Sequence, residues 1–462
     1  MFFQAHLFIN ADLGCLKMNG NGSDAERMGN ESVPKLVMSC FFSTFAALLF
    51  NSLYTVIDAL FVSRAVGDNA MGGISLILPF VIFQSAISTA VGSGAASVVS
   101  RSLGENSPEK AGNAAYNAML AFYSSAILIT IFGFVTMKPM LNLLGVTPEL
   151  YESAKQYYMI ILAGNIFSTG FSSIIRAEGK MKYALLIWVI PVSVNIILDA
   201  VFIIVLGWGV VGSALATVIC QMTSASMSLF FFKRLTSLDF SKKKLSKSLL
   251  KEILLVGFPS VIQMGTLSVL TFAINNILSD ISGTDGVNSF AYIGKILTFA
   301  VVPFTAFSMT LSPIAGYNIG SKNKSRVIKV FEFCYGACLA YSIIAAVLLF
   351  LFAQPLVGVF TKSELMIETS ANGLKAVSFA LPFSFSHLLA ASLFQAQGKR
   401  LSPFVLYSVL PVAVFLITKP MAGTFGSSGV WTAYVLSNLI STAVSVVMLC
   451  VSLKRKAKKN MT

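Results

Sequence analysis

Apolar residues in this chain come in long solid blocks, and the short stretches between them hold most of the charge. A helix needs roughly 20 apolar residues to cross about 30 Å of hydrocarbon. Twelve blocks meet that length: 34–62, 70–99, 113–135, 156–175, 183–206, 210–232, 253–279, 288–317, 328–352, 372–396, 402–421 and 428–453. A membrane barrel would instead show alternating segments of about ten residues. The pattern therefore predicts an all-α integral membrane protein with twelve transmembrane helices.

Composition points the same way. Of 462 residues 56% are hydrophobic and 11% charged, and the mean hydropathy is +0.79, so most of this chain must face lipid rather than water. Residues 1–29 are polar and mixed, with no basic region leading an apolar core, which reads as a disordered tail and not as a cleaved signal peptide. Met18 and Met28 are candidate natural starts. Cys15 lies in that tail, and Cys40, Cys220, Cys334, Cys338 and Cys450 lie in apolar spans, where thiols act as small packing residues.

A net charge of +14 would suit a nucleic-acid binder, but the placement of the basic residues argues otherwise. Of 33 Lys and Arg, 26 fall in the tails and in alternate loops, on one side of the predicted bundle; Lys295 lies within a span. By the positive-inside rule both termini and the basic linker 233–252 are expected in the cytoplasm, and this surface is expected to attract anionic lipid headgroups rather than nucleic acid.

The chain also repeats. Aligning Pro34 with Pro259 brings Asn51 onto Asn276; Gly104 opens Gly-Glu-Asn-Ser-Pro-Glu-Lys where Gly320 opens Gly-Ser-Lys-Asn-Lys-Ser-Arg. Ala-Glu-Gly-Lys at 177–180 answers Ala-Gln-Gly-Lys at 396–399, and Gly209 and Gly212 answer Gly426 and Gly429. Six spans per copy is an even number, so both copies enter the membrane in the same direction. The expected plan is two six-helix lobes, 30–232 and 253–453, related by a parallel internal repeat, with a basic tail at 454–462; carriers that rock one lobe against the other are built this way.

Two carboxylates stand inside apolar spans, Asp58 and Asp199. Each costs about 2.5–3.5 kcal/mol at a span's centre, so each calls for a role. Asn195 precedes Asp199 by one turn and shares its face. Asp199 and Thr217 lie equally far from Trp208, about 13 Å deep on neighbouring antiparallel helices, and Asp58 lies about 9–12 Å below the end of its own span. These four groups offer oxygen ligands to a small cation, Na+ if sodium is the ion, or a carboxyl pair that takes a proton. Asn51, Tyr54 and Asn165 could line a substrate path or join helices. Aligned positions near Gly283 and Thr418 carry no carboxylate, which confines the expected site to the first lobe. Lys295 is expected to snorkel to the interface and His387 to pack, and prolines 79, 191, 259, 303, 313, 382 and 411 permit bends.

Asn-Ser-Leu-Tyr-Thr-Val-Ile-Asp (51–58), Ser-Arg-Ser-Leu-Gly-Glu (100–105), Arg-Ala-Glu-Gly-Lys (176–180) and Pro-Val-Ser-Val-Asn-Ile-Ile-Leu-Asp (191–199) with the following Trp-Gly-Val-Val-Gly-Ser-Ala-Leu-Ala-Thr occur in an order that resembles the multidrug and toxic compound extrusion (MATE) transporters. The resemblance runs from about residue 30 to 453 and is nearest the prokaryotic branch related to DNA-damage-inducible protein F. It implies a V-shaped pair of bundles in the cell's plasma membrane, acting as a monomer without cofactor, that exports small organic, often cationic, molecules in exchange for Na+ or H+. It also implies a first-lobe cation site at Asp58, Asn195, Asp199 and Thr217, with Asn51 and Tyr54 at cavity positions. A branch with a glutamate in span seven is not matched, since Gln263 to Leu270 holds none.

Two readings compete with drug export. A flippase of lipid-linked saccharides would favour a basic cavity, for which Lys295 alone is too little. An intramembrane aspartyl protease needs Gly-x-Gly-Asp on a second helix, and none occurs; with no phosphate loop either, an enzyme is not expected.

Overall fold

The computed structural model describes residues 24–459 apart from 67, 144–147 and 242. Inside hydrocarbon a backbone has no water to bond, so each crossing segment satisfies its own peptide groups as a helix. The α-helices are α1 (Asp24–Asn30), α2 (Val33–Ala65), α3 (Asp68–Gly104), α4 (Pro108–Val135), α5 (Met137–Leu143), α6 (Tyr151–Gly164), α7 (Phe171–Ala177), α8 (Met181–Asp199) and α9 (Gly209–Arg234). They continue with α10 (Lys247–Gly257), α11 (Pro259–Gly320), α12 (Lys324–Leu351), α13 (Ala353–Gly358), α14 (Glu364–Ser378), α15 (Leu381–Ser384), α16 (Ser386–Ala396) and α17 (Leu401–Lys459). Among the described residues there is no strand.

Among the described residues ten helical stretches are long and apolar enough to cross a bilayer, and the pair Glu364–Ser378 and Leu381–Ala396, bent by 49°, makes an eleventh. One of the ten, Leu401–Ser452, is a hairpin and supplies two crossings. Its ends prove this: Lys399 Nζ donates to Ser452 Oγ at 2.9 Å, whereas 53 residues of straight helix would separate them by about 80 Å. The chain reverses at Gly426, whose φ of 62° is open to glycine at little cost. Gly283, with φ 57°, turns α11 in the same way. The described residues thus supply twelve crossings.

The sequence repeat has a conformational cause at the basic end. Gly179 and Gly398, the glycines of the two Ala-x-Gly-Lys stretches, both take positive φ (83° and 71°). Asn106 and Lys322, each two residues past a paired glycine, are left-handed in the same manner (54° and 60°). Pro79, Pro191, Pro303, Pro313, Pro411 and Pro420 sit inside helices, while Pro259 opens α11 and Pro382 lies in the first turn of α15.

Three apolar cores show how the lobes are arranged. The largest draws on both, joining Phe41, Val91, Ala95 and Val99 to Phe304, Leu311, Ile314 and Leu389. A second holds only first-lobe residues, from Val62 to Ala214, and a third only second-lobe residues, from Leu270 to Trp431. The lobes therefore meet at the basic end and part at the other. Their seam is closed by glycines: a Cβ on Gly94 would lie 1.9 Å from the Ile253 carbonyl oxygen, one on Gly104 1.9 Å from that of Tyr317, and one on Gly257 1.8 Å from that of Ala90. Small residues let backbones approach this closely, and packing of this kind holds helices together in lipid. Polar pairs reinforce it: the hydroxyls of Ser93 and Ser260 lie 2.9 Å apart, Ser97 Oγ donates to the Gln395 carbonyl at 2.5 Å, and Arg101 pairs with Glu252 of α10 at 2.8 Å.

Residues 1–23 of the expected disordered tail lie outside the described residues, and from Asp24 onward that tail is helical. Seven residues are too few to hold a helix alone; α1 is held by both lobes. Lys180 of the first lobe pairs with Asp24, while Asn318 Nδ2 and Arg326 Nε of the second lobe donate to the Met28 carbonyl at 2.8 and 3.1 Å.

The linker is strapped to the first lobe, and α10 begins within its expected range, at Lys247, where Ser246 Oγ accepts from Leu249 N. Asn117 binds the Lys244 carbonyl and the Ser246 amide, each at 2.9 Å. Glu178, fully buried just beyond the membrane-spanning stretch Tyr151–Ala177, accepts from the Thr236 hydroxyl and from both Ser237 N and Oγ at 2.9–3.1 Å. Burial pushes its carboxyl up to about 7, against the opposing pull of Ser237, Thr236 and Lys180. A carboxyl raised in the folded state contributes stability that is whole below its unfolded value of 4.5 and is lost as pH rises through about 7. Glu178→Gln mimics the neutral form, so its melting temperature minus that of the parent should grow as pH is raised from 5 to 8.5. A difference that stays flat would refute this.

Candidate functional site

Asp58 lies on α2, half-buried, seven residues before the helix ends. Asn195 and Asp199 lie on α8 and have no exposed surface. Asp199 is the last α-helical residue before a π-helical turn, Ala200–Val205. Such turns relax the tight α spacing and are frequent at functional sites. Thr217 and Ser213 stand one turn apart on α9. The structure brings these elements together. The carboxyls of Asp58 and Asp199 come within hydrogen-bonding reach, and Ser213 Oγ donates to Asp58 Oδ1 at 3.4 Å. Tyr54, one turn before Asp58, and Tyr157 on α6 both reach the Thr217 side chain. Asn51 is half-buried on α2, two turns before Asp58.

The bonding inventory of this cluster is incomplete. Both carboxylate oxygens of Asp199 and both amide atoms of Asn195 are buried without a hydrogen-bond partner. A buried polar group left unpaired costs a few kcal/mol, and an unpaired charge more. Two carboxylates in contact are also two acceptors, and they repel unless a proton or a cation stands between them. A proton would turn the contact into an O–H···O bond. A sodium ion would gather the same oxygens together with Asn195 Oδ1 and Thr217 Oγ1. Two carboxylates, an amide oxygen and a hydroxyl make an all-oxygen donor set of the kind a small hard cation takes.

The remaining singled-out residues have other company. Asn165 is buried, accepts from Gln84 Nε2 and donates to the Ala126 carbonyl at 3.0 Å, so its amide ties neighbouring helices. His387 is buried. Cys334 and Cys338 are buried free thiols. Lys295 is exposed, with Nζ 5.5 Å from the centre of the Phe360 ring. Ser213 and Tyr157 were not singled out from the sequence. Ser213 could have been, since it precedes Thr217 by one turn and must share its face; nothing local marks Tyr157.

The MatE family model matches residues 44–201 and 259–417, once on each lobe. This chain belongs to the MATE family. It is a family of transporters, not of enzymes. The chain is 21% identical over 407 residues to the multidrug export protein MepA of Staphylococcus aureus, covering 87% of this chain and 90% of that one. It is 25% identical over 384 residues to the probable multidrug resistance protein NorM of Thermotoga maritima, covering 78% and 80%. Among solved structures, a MATE transporter in the bent conformation superposes with a TM-score of 0.89 at 22% identity, covering 96% of this chain and 100% of that one. An outward-facing multidrug resistance MATE transporter gives 0.88 at 23% identity, covering 95% and 100%. The two-lobed MATE fold is thus shared along nearly the whole chain.

Proposed function

We propose that this MATE transporter exports small organic molecules, cations prominent among them, in exchange for H+ or Na+ bound between Asp58 and Asp199. The observation that carries this reading is the pair of unpartnered Asp199 oxygens facing a second carboxyl inside the first lobe. A group so arranged is costly when empty and satisfied when loaded, so its loading can bias one lobe conformation over another. Asn195 and Thr217 complete the ion's shell in this reading, and Asn51 and Tyr54 face the substrate. Closure at the basic end with separation at the other supports release on the side away from the basic residues. By the positive-inside rule the basic end is cytoplasmic and both termini lie inside; in this reading the chain works as a monomer in the plasma membrane. Relatives named for multidrug export support the substrate class.

Efflux of a fluorescent lipophilic cation from energised vesicles tests the reading, with Na+ and pH gradients imposed separately. Export driven by one gradient names the coupling ion. Export driven by neither, from well-inserted protein, would refute the reading.

A further inference from the structure

Lys295 is left without a role by ion-coupled export, and no carboxylate among the described residues forms an ion pair with it. It lies 25 residues before Gly320, where α11 ends at the basic face, hence about 37 Å away along the helix. Hydrocarbon accounts for about 30 Å of that distance. Lys295 therefore stands at the interface opposite the basic end. Directly beneath it opens a groove of about 480 Å³ between α11, α12 and the chain after α13, lined by Ile296, Phe299, Tyr341, Ala345, Leu348 and Phe360 among others. That volume is in the range of small-molecule sites.

The lining is apolar but for the Tyr341 hydroxyl, which donates to the Ala300 carbonyl. At the groove's edge, its lining residues Ile344 and Leu348 join Ile343, Val347 and Leu351 in an exposed apolar row on α12, the face that such a span turns to lipid. Phe360 belongs to both parts, lining the groove and carrying the Lys295 ammonium over its ring. An apolar groove in the membrane face, headed at the interface by a cation that no carboxylate among the described residues pairs, is complementary to a lipid with an acyl tail and an anionic head.

We propose that this groove holds one acyl chain of an anionic phospholipid in the leaflet opposite the basic face, with the phosphate bound by Lys295. An organic cation would meet the same ammonium as a like charge. The inference does not depend on the export reading, since it concerns only the membrane face of the second lobe.

Native mass spectrometry of the whole protein, released from mixed micelles of phosphatidylglycerol and phosphatidylcholine in equal amounts, tests it. The parent should retain one tightly bound phosphatidylglycerol. In Lys295→Gln the preference for phosphatidylglycerol over phosphatidylcholine at that site should fall about fivefold, the value of one basic residue at an anionic surface. Lys329→Gln, on the basic face, should leave it unchanged, and Ala345→Phe, which fills the groove, should remove the bound lipid of either kind. Equal retention of both lipids by the parent, a preference that survives Lys295→Gln, or displacement of the lipid by an exported organic cation would each overturn the proposal. Lys295 is exposed, so its replacement leaves the core intact and keeps that arm decisive should Ala345→Phe fail to fold.

Discussion

Asp199→Asn should reduce gradient-driven export to background while the protein remains inserted, folded and at least as heat-stable as the parent. Both outcomes have one cause. The Asp199 carboxyl is buried against Asp58 and has no donor of its own, so replacing it removes a like-charge contact whose only compensation is the ion or proton it captures. An enzyme-like catalytic loss would leave binding in place; here it is the binding of the driving ion that disappears. Asp58→Asn should behave alike. Efflux assays in vesicles paired with thermal melts in detergent check this, and normal export by a well-expressed Asp199→Asn protein would sink the coupling mechanism.

The second large effect concerns the seam. Ser93 on α3 and Ser260 on α11 belong to different lobes, and their hydroxyl oxygens lie 2.9 Å apart. Ser93→Cys with Ser260→Cys substitutes sulfur for oxygen with little change of shape, and a disulfide there needs only a modest approach of the two side chains. Oxidation should hold the lobes together at the basic end and stop export entirely, and a reductant should restore it. Each single variant should export under both conditions. Continued transport by fully oxidised double variant would mean that the lobes do not separate there during the cycle.

Much of this molecule is legible in the sequence because lipid is an unforgiving solvent. It forces each span to declare itself as an apolar block, and it makes a lone carboxylate such as Asp58 or Asp199 conspicuous. The repeat is legible wherever a turn demands a left-handed residue, as at Gly179 and Gly398. Hydroxyls announce little, since a serine or tyrosine in a span can bond within its own helix or across to another. That is why Tyr157 emerged only when four helices were brought together, whereas Ser213 could have been inferred from its place one turn before Thr217. The α1 helix is illegible for a different reason: its seven residues have no apolar period of their own, and its order comes from Lys180, Asn318 and Arg326, which are remote in sequence. Asn165 shows the converse, a polar residue easily noticed whose amide is spent on neighbouring helices.

The position of α1 also bears on how the protein can be handled. Its short run of backbone is gripped by one lobe at Asp24 and by the other at Met28, so a fluorophore or affinity handle fused just ahead of it would hang over the joint that must open. The last helix, by contrast, packs mainly on helices of the second lobe, and Ser452 near its end is bonded to Lys399 of that lobe. Reporters belong at that end, and one moved to the front would be measuring its own interference.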